Sequence, residues 1–594
     1  MEDALKQKQE LPVAIGETIS NAVATARRLV AVRKAEVVCG ALLFLMAVNL
    51  FASISRKSIT NDEIVHIPAG YYHLVAGEFQ LNNEHPPLIK MWAALPLLFL
   101  QPDEPLAPKT EDENFMERTW GFHERFWGAN QTRFQSISFW PRLMMVPLTL
   151  ALGALIFVFT RKLFGAPAAL IAVGFYVLEP TMLAHGRIVH TDVPAALAYL
   201  FFFFTLYRYS ENPGLQRSFA LGIACALALL TKFSMLVTLP VLVIYLLIRL
   251  FTQRKDRKQR SQLLTHGGLI AVVILFLLNA AYYFKHPALE ASDVRWVEMK
   301  SPALLGFVTT LIHVASKLVP TYYLFGVYNI EVHNHYGHAT SLLGNYSDLG
   351  WWYYFPVAFA LKTTIPFLLV ATAALIFAIW RSAKRDWRFL WLVVPVGIYL
   401  AVSLTSHINI GIRHFLPVYP FLFIGGGALL AQLLRIRRPL GVAVLTILLG
   451  WMAFEAIRTF PNYTPYMNQL ASRHPHWYYL SDSNVEWGDD VGELADYLKA
   501  RGETKVTAAL SAGWSTLRRY GVDYLDMVSL PPDETPETRY VAIGASFLNG
   551  SVVPGDEKVI GRRSFERINL FARYRDRKPE AVFGNSIYLY RERE

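Results

Sequence analysis

Residues 35–54, AEVVCGALLFLMAVNLFASI, lead through SRKSIT (55–60) into NDEIVHIPAGYYHLVAGEFQLNNEHPPLIK (61–90). The first stretch is long enough to cross a bilayer, because roughly 20 mostly apolar residues span the hydrocarbon core. The second opens with an acidic pair, Asp62 and Glu63, and closes with Glu84, His85, Pro86, Pro87 and Lys90. Carboxylates, histidines and a lysine thus stand where the chain leaves the membrane. That placement points to chemistry at a membrane surface.

Working outward, the composition is 53% hydrophobic and only 17% charged, against about 25% charged in soluble domains. With its repeated long apolar runs, the chain reads as a polytopic α-helical membrane protein. A net charge of +11 raises the question of nucleic acid. The basic residues, however, fall in short loops between apolar runs, where membrane orientation requires them, and nucleic acid is excluded as a partner. Cys39 and Cys225 both lie inside apolar runs, so no disulfide is expected.

Arg27, Arg28, Arg33 and Lys34 precede the first span, which is too long for a signal-peptide core and has no clear cleavage site after it. Residues 1–34 are therefore expected to be a cytoplasmic segment ahead of a retained anchor. Further apolar runs begin near Ser136, Ala166, Asp192, Ser218, Met235, Thr265, Tyr353, Arg388, Gly411 and Leu440. Eleven spans put Arg161 and Lys162, Arg208 and Arg217, RKDRKQR (254–260), RSAKRDWR (381–388) and RIRR (435–438) on the cytoplasmic side. Two other apolar stretches, 88–100 and 304–325, are expected to be interfacial or re-entrant, since counting only the first as a span would invert the basic loops that follow. The transmembrane unit is residues 35–460, with a long first outer loop at 55–135. Residues 461–594 are polar and mixed, and read as a small α/β domain. LADYLKARG forms a helix ending in a glycine cap, and KVTAAL, RYVAIGASF and SIYLYRE form strands. The odd span count places this domain outside the cytoplasm, in the periplasm if the membrane is a bacterial inner membrane.

Ionisable residues inside spans are costly and usually have a job. Here they are Arg142, Glu179, Lys232, Lys362, Arg413 and Glu455, all in the outer parts of their spans, with Asp62, Glu63, Glu84, Arg187 and Asp192 in the adjoining outer loops. Snorkelling would populate both faces, so one-sided placement implies an outward polar cavity. Several cations with a few carboxylates suit a phosphate-bearing, lipid-linked substrate. A polyprenyl-phosphate sugar brings its own leaving group, so one carboxylate base and cations to hold the departing phosphate suffice. A transporter or flippase of a lipid-linked or anionic substrate is the alternative, although the chain shows no internal repeat and no matched interrupted helices.

The acidic pair after the first span, the Glu-His-Pro-Pro ending of its loop, HGRIVHTDVP (185–194), LLTKFS (229–234), GWWYYFPVAFALKTTIP (350–366) and RHFLPVYP (413–420) together resemble the GT-C glycosyltransferases. The nearest branches are bacterial relatives of protein O-mannosyltransferases and of the lipid A aminoarabinose transferase. The resemblance covers roughly residues 35–460 and implies a sugar transferase with a polyprenyl-phosphate donor and an extracytoplasmic protein, lipid or glycan acceptor. It implies that Asp62 is the catalytic base, Glu63 its acidic neighbour, and Asp192 the acidic residue of the second outer loop. Glu84 and His85 occupy positions where the aminoarabinose branch has glutamate and lysine. His85 departs from that pattern, and Lys90 one turn on could compensate. Arg413, with His414 beside it, implies a phosphate clamp, joined by Lys232 and Arg187. No cofactor is identified, and a divalent metal ion is left open. The tail, YYLSDSNVEWGDDVGELADYL (478–498), is similar to that of uncharacterised bacterial members and adds little about substrate.

Plainer readings stand beside these. Asp62 and Asp192 both suit helix starts, Glu63 suits a first helical turn, and Arg413 and Lys232 suit interfacial anchors. Glu84 and His85 could be ordinary loop residues ahead of the Pro-Pro turn. The loose spacing of His333, His335 and His338 favours loop histidines over a metal site.

Overall fold

The computed structural model describes residues 33–103, 115–252, 256–530, 534, 536–551 and 570–593. The expected cytoplasmic segment therefore lies outside the described residues apart from Arg33 and Lys34. Among the described residues, eight helices are long and apolar enough to cross a membrane: Lys34–Ile54, Gln131–Phe164, Phe233–Thr252, Arg257–Ala281, Ile365–Ala383, Trp387–Leu404, Ile412–Ile436 and Arg438–Thr459. The other three expected spans are Ala166–Leu178, Asp192–Glu211 and Leu215–Thr231, helices that do not meet both conditions. The run expected to start near Tyr353 is divided into Tyr354–Lys362 and Ile365–Ala383, because Pro366 can begin a helix but not continue one. Residues 88–100 break into Leu88–Ala94 and Leu97–Leu100, each too short to span.

The two ends of the bundle are chemically distinct. At one end Arg161 pairs with Glu36, Lys162 with Glu211 at 3.5 Å, and Arg388 with Asp386 at 2.8 Å. At the other end Ile54 and Lys57 give their carbonyls to Arg142, at 3.3 and 2.7 Å. Glu36 and Ile54 belong to one helix, so these ends lie about 27 Å apart at 1.5 Å per residue.

Among the described residues, the stretch 55–135, expected to be the first outer loop, is largely helical. Asn61–Val75 starts with Thr60 as its cap, and Glu63 closes the capping box by accepting from the Thr60 N–H at 2.7 Å. This helix lies against Leu88–Ala94 so closely that a Cβ on Gly70 would sit 2.1 Å from the Lys90 carbonyl oxygen. Phe115–Ala129 covers it from another side, with Trp127 Nε1 donating to the Ile64 carbonyl at 2.9 Å.

The C-terminal region forms a five-stranded sheet. Its order is Asp523–Asp526, Lys505–Ala509, Tyr540–Gly544, Ile587–Arg591, Ala581–Phe583. The first two pairings are parallel and the last two antiparallel. The helix Val491–Lys499 packs its Val491, Leu494, Ala495 and Leu498 on this sheet, and Gly502, at φ +75°, follows its last turn. The domain docks on the face that carries Asp62. Asn61 N–H donates to the Trp487 carbonyl and Ser58 N–H to that of Asp489, both at 2.9 Å.

Candidate active site

Asp62 occupies the first turn of the helix Asn61–Val75, and His66 follows one turn on, so both project from the same side. Arg413 lies in the turn Ile412–Val418, which opens the late span. Asp192 starts the helix Asp192–Glu211, and Lys232 sits in the extended link between Leu215–Thr231 and the next helix. These four meet. Arg413 Nη1 pairs with Asp62 Oδ2 and lies 3.8 Å from Asp192 Oδ2. Lys232 Nζ pairs with Asp192 Oδ1. Two carboxylates and two cations thus form one network, with formal charges that cancel.

The network has a neutral surround. The Asp192 N–H donates to His190 Nδ1 at 2.8 Å, which fixes that imidazole as an acceptor at Nδ1. Burial, with Arg413 adding to it, keeps His190 well below the usual histidine range. His66 donates through Nδ1 to the Val189 carbonyl at 3.0 Å, and burial pushes its pKa down to about 4. His85 meets His66 edge to face at 5.5 Å. It too is held well below its usual range, by burial first and then by His66, Lys232, Lys90 and Arg413. Burial and the nearby Asp62 raise the Glu84 carboxyl, opposed by Lys90. Burial is the largest influence on Asp62 and works against its charge, but Arg413 and His66 together outweigh it and hold this carboxyl below its ordinary value.

Three expected site residues spend their polar groups elsewhere. Glu63 is fully buried. Beyond the capping box, it accepts from the Val189 N–H at 2.9 Å and pairs with Arg142 at 3.3 Å. Adjacent helical residues point about 100° apart, so the acidic pair serves two different sides. Lys90, pushed down to about 7 by burial, donates to the Asn82 and His85 carbonyls and so staples the loop that carries Glu84 and His85. Arg187 pairs with Asp489 at 2.7 Å and faces the C-terminal domain. His414, half-buried, gives its carbonyl to Tyr399 Oη at 3.0 Å beside Arg413.

Of the six ionisable residues inside spans, Lys232 and Arg413 join the network. Lys362 donates to the Thr464 and Asn484 carbonyls, both at 2.6 Å, and Glu455 binds Gln469 at 2.6 Å and Arg458 at 2.8 Å. Glu179 accepts from Thr364 at 2.8 Å, and Arg142 holds Glu63. All six lie toward the domain-bearing end, but four of them brace structure.

Two site residues come from the tail. Trp487 places its ring 4.3 Å from the Arg413 guanidinium and donates through Nε1 to Asp62 Oδ1 at 3.3 Å. Asp482, at φ +53°, has its carboxylate 3.9 Å from His338 Nε2. Their motif was visible in the sequence, yet nothing in its spacing tied it to residues hundreds of positions away. His333 and His338 are 3.0 Å apart, and among the described residues no group of three or more His, Cys, Asp or Glu could hold a metal ion.

Residues 132–282 match the family model for dolichyl-phosphate-mannose-protein mannosyltransferase. The matched stretch contains Asp192 and Lys232 and agrees with the motif resemblance to GT-C glycosyltransferases. The chain is a polytopic α-helical membrane protein with a small C-terminal α/β domain. Among solved structures it is similar to ArnT from Cupriavidus metallidurans bound to undecaprenyl phosphate, at 15% identity and TM-score 0.46, over 85% of this chain and 92% of that one. It is also similar to the Archaeoglobus fulgidus oligosaccharyltransferase in the apo form, at 11% identity and TM-score 0.47, over 86% and 70%. The S. cerevisiae protein O-mannosyltransferase Pmt1-Pmt2 complex bound to the sugar donor matches at 16% identity and TM-score 0.32, over 44% and 35%. No curated protein matches the chain.

Proposed function

We propose that the chain is a membrane glycosyltransferase that moves a hexosyl or pentosyl group from a polyprenyl-phosphate donor to an extracytoplasmic acceptor. Asp62 is the general base of an inverting transfer. One observation carries the reading: Asp62, Asp192, Lys232 and Arg413 converge, from four separate segments, at the end of the bundle opposite the basic loops. The family match over residues 132–282 supports the same class.

The chemistry follows from the pairing. An arginine-bound carboxylate is a weak base. A donor phosphate competes with Asp62 for Arg413, since arginine binds phosphate through charge-assisted, often paired hydrogen bonds. As Arg413 shifts to the phosphate, Asp62 loses its counter-charge and its basicity rises. Asp62 then takes the acceptor proton while the acceptor attacks the anomeric carbon, and the glycosyl–phosphate bond breaks with its electron pair going to the phosphate. Lys232, held by Asp192, stabilises the negative charge that gathers there. Asp192 and His190 keep Lys232 and Arg413 in place, and Glu84 and His85 border the donor. The C-terminal domain lies on the extracytoplasmic side.

The test is reconstitution of the full chain in vesicles with a panel of polyprenyl-phosphate sugars. Acceptor-dependent release of polyprenyl phosphate, with inversion at the anomeric carbon, is expected. Mass spectrometry of co-purifying lipid names the donor. Movement of intact donor across the bilayer without any transfer product would support a flippase instead, and retained configuration would remove the single-displacement mechanism.

A further inference from the structure

The tail segment 481–490, SDSNVEWGDD, stands out because almost every polar side chain in it is committed. Ser481 Oγ accepts from the Ser341 N–H at 3.0 Å, and Ser483 Oγ donates to the Ile410 carbonyl at 2.7 Å. Asn484 accepts from the Ile412 N–H at 2.9 Å and donates to Tyr354 Oη at 2.8 Å. Glu486 accepts from Ser511, and Asp489 and Asp490 pair with Arg187 and Lys57. Gly488, at φ +97°, makes the turn where a Cβ would sit 2.6 Å from that of Ala512. The result is a rigid bracket that presents Trp487.

What Trp487 touches is specific to chemistry. Its ring face carries the Arg413 guanidinium, and its ring edge donates to Asp62, the other half of the same ion pair. Its carbonyl accepts from the Asn61 N–H, so its backbone is fixed to the residue preceding Asp62. His185 and His190 lie against the same ring at 5.9 and 5.8 Å. A tryptophan that only filled space would not need its N–H aimed at one partner and its face at the other.

We propose that Trp487 is a positioning residue of the catalytic centre, so that the C-terminal domain completes the active site. The indole N–H holds Asp62 oriented when Arg413 leaves it for the donor phosphate, and the ring face supports the guanidinium in both positions. This rests on the transferase reading above. Asp62 is faced by Arg413 and Trp487, by His66 on its own helix, by Asp192 and Glu84 from neighbouring segments, and by Asp482 from the tail. Among these contacts, the indole N–H can be deleted without changing any charge.

The experiment uses the full chain in lipid nanodiscs. Trp487 is replaced by phenylalanine and, in a second variant, by β-(3-benzothienyl)alanine, which keeps the bicyclic shape and lacks only the N–H. A hydrogen bond of ordinary net strength predicts turnover reduced roughly 3- to 10-fold in both, with the donor KM changed less than about 2-fold. The N–H favours the charged carboxylate, so the acid limb of the pH–rate profile should move up by roughly half to one pH unit. Carbodiimide labelling of Asp62 against pH, read by peptide mass spectrometry without substrate, should show the same shift. An isostere variant with an unmoved labelling midpoint and an unmoved acid limb overturns the proposal. If the midpoint moves but the unmodified protein transfers no sugar, the transferase reading fails while the hold of Trp487 on Asp62 stands. If the protein transfers sugar and the midpoint stays, only the role of Trp487 falls.

Discussion

Two buried ion-pair clusters lie side by side at the domain-bearing end of the bundle, and they are wired differently. In the docking cluster the bundle cations are held by acids of the tail. Arg187 pairs with Asp489, with Thr464 Oγ donating to the same acid at 2.7 Å, and Lys57 lies between Asp490, which also receives Ser586, and Glu493 at 2.6 Å. These pairs are closed to solvent, with Arg187 and Asp489 side chains 0% and 2% exposed. In the other cluster Arg413 is shared by Asp62 and Asp192, and Asp192 is shared by Arg413 and Lys232. Asp62 keeps 19% of its side chain exposed. Sealed pairs between bundle cations and tail acids hold a domain in place, whereas a network open at Asp62 can trade partners when a substrate arrives.

The largest effect should come from breaking the shared network at its base. Asp62→Asn keeps the shape and the bond from Trp487 but removes the basicity. Loss of a general base costs on the order of a hundred- to ten-thousand-fold in rate, so turnover should fall that far while donor binding and thermal stability hold. Transfer rate against equilibrium donor binding separates the two. A variant that keeps most of its turnover removes Asp62 from the role of base.

Next comes the docking cluster, where the loss should be structural. Arg187→Ala leaves Asp489 buried and uncompensated, which typically costs about 3–5 kcal/mol. It should lower the melting temperature and expose the tail to protease. Arg187→Met combined with Asp489→Leu should recover most of that stability, because apolar residues of similar size often replace a buried pair without loss. The equivalent double change at Arg413 and Asp62 should not recover activity. Should it do so, the two clusters do not differ as their wiring implies.

A milder effect is expected at the clamp. Arg413→Ala removes charge-assisted hydrogen bonds to phosphate, each contributing about 1.5–3 kcal/mol. The donor KM should therefore rise roughly 10- to 150-fold. Unchanged donor affinity would place the phosphate elsewhere.

The comparison also shows what a sequence can disclose. Apolar runs and basic loops carry their meaning locally, so the span pattern and the one-sided gathering of charges were legible. Asp62, Asp192, Lys232 and Arg413 could be picked out because each stands at a span end. Which way a charged side chain turns was harder. Glu63, Lys90 and Arg187 have the same residue types and the same neighbourhood, yet their partners are backbone groups, Arg142 and a tail residue, all set by packing. Helical phase alone separates Asp62 from Glu63, but only once residues 61–75 are known to be a helix rather than a loop. Trp487 was beyond reach, because its partners lie 74 and 425 positions away, and only the docked domain brings them together.

The smallest effect tests the bracket that carries Trp487. Glu486 is buried beside it and accepts from the Ser511 N–H and Oγ at 2.7 and 2.8 Å. Burial pushes this carboxyl up to about 8, against roughly 4.3 for an exposed glutamate. Between those values the folded chain holds a proton that the unfolded chain has released. Stability from this group is therefore fully present below about pH 4.3, falls as pH rises toward 8, and is level above it. Glu486→Gln imitates the protonated acid and has nothing to titrate. Its melting temperature should match that of the unaltered protein near pH 4.5 and exceed it by a growing margin up to pH 8, while transfer activity at neutral pH stays nearly the same. Parallel melting curves across that range would mean that Glu486 is ionised in the folded chain. The Ser511 bonds would then be stabilising a buried charge rather than a neutral acid, and the bracket would share the electrostatic character of the docking pairs beside it.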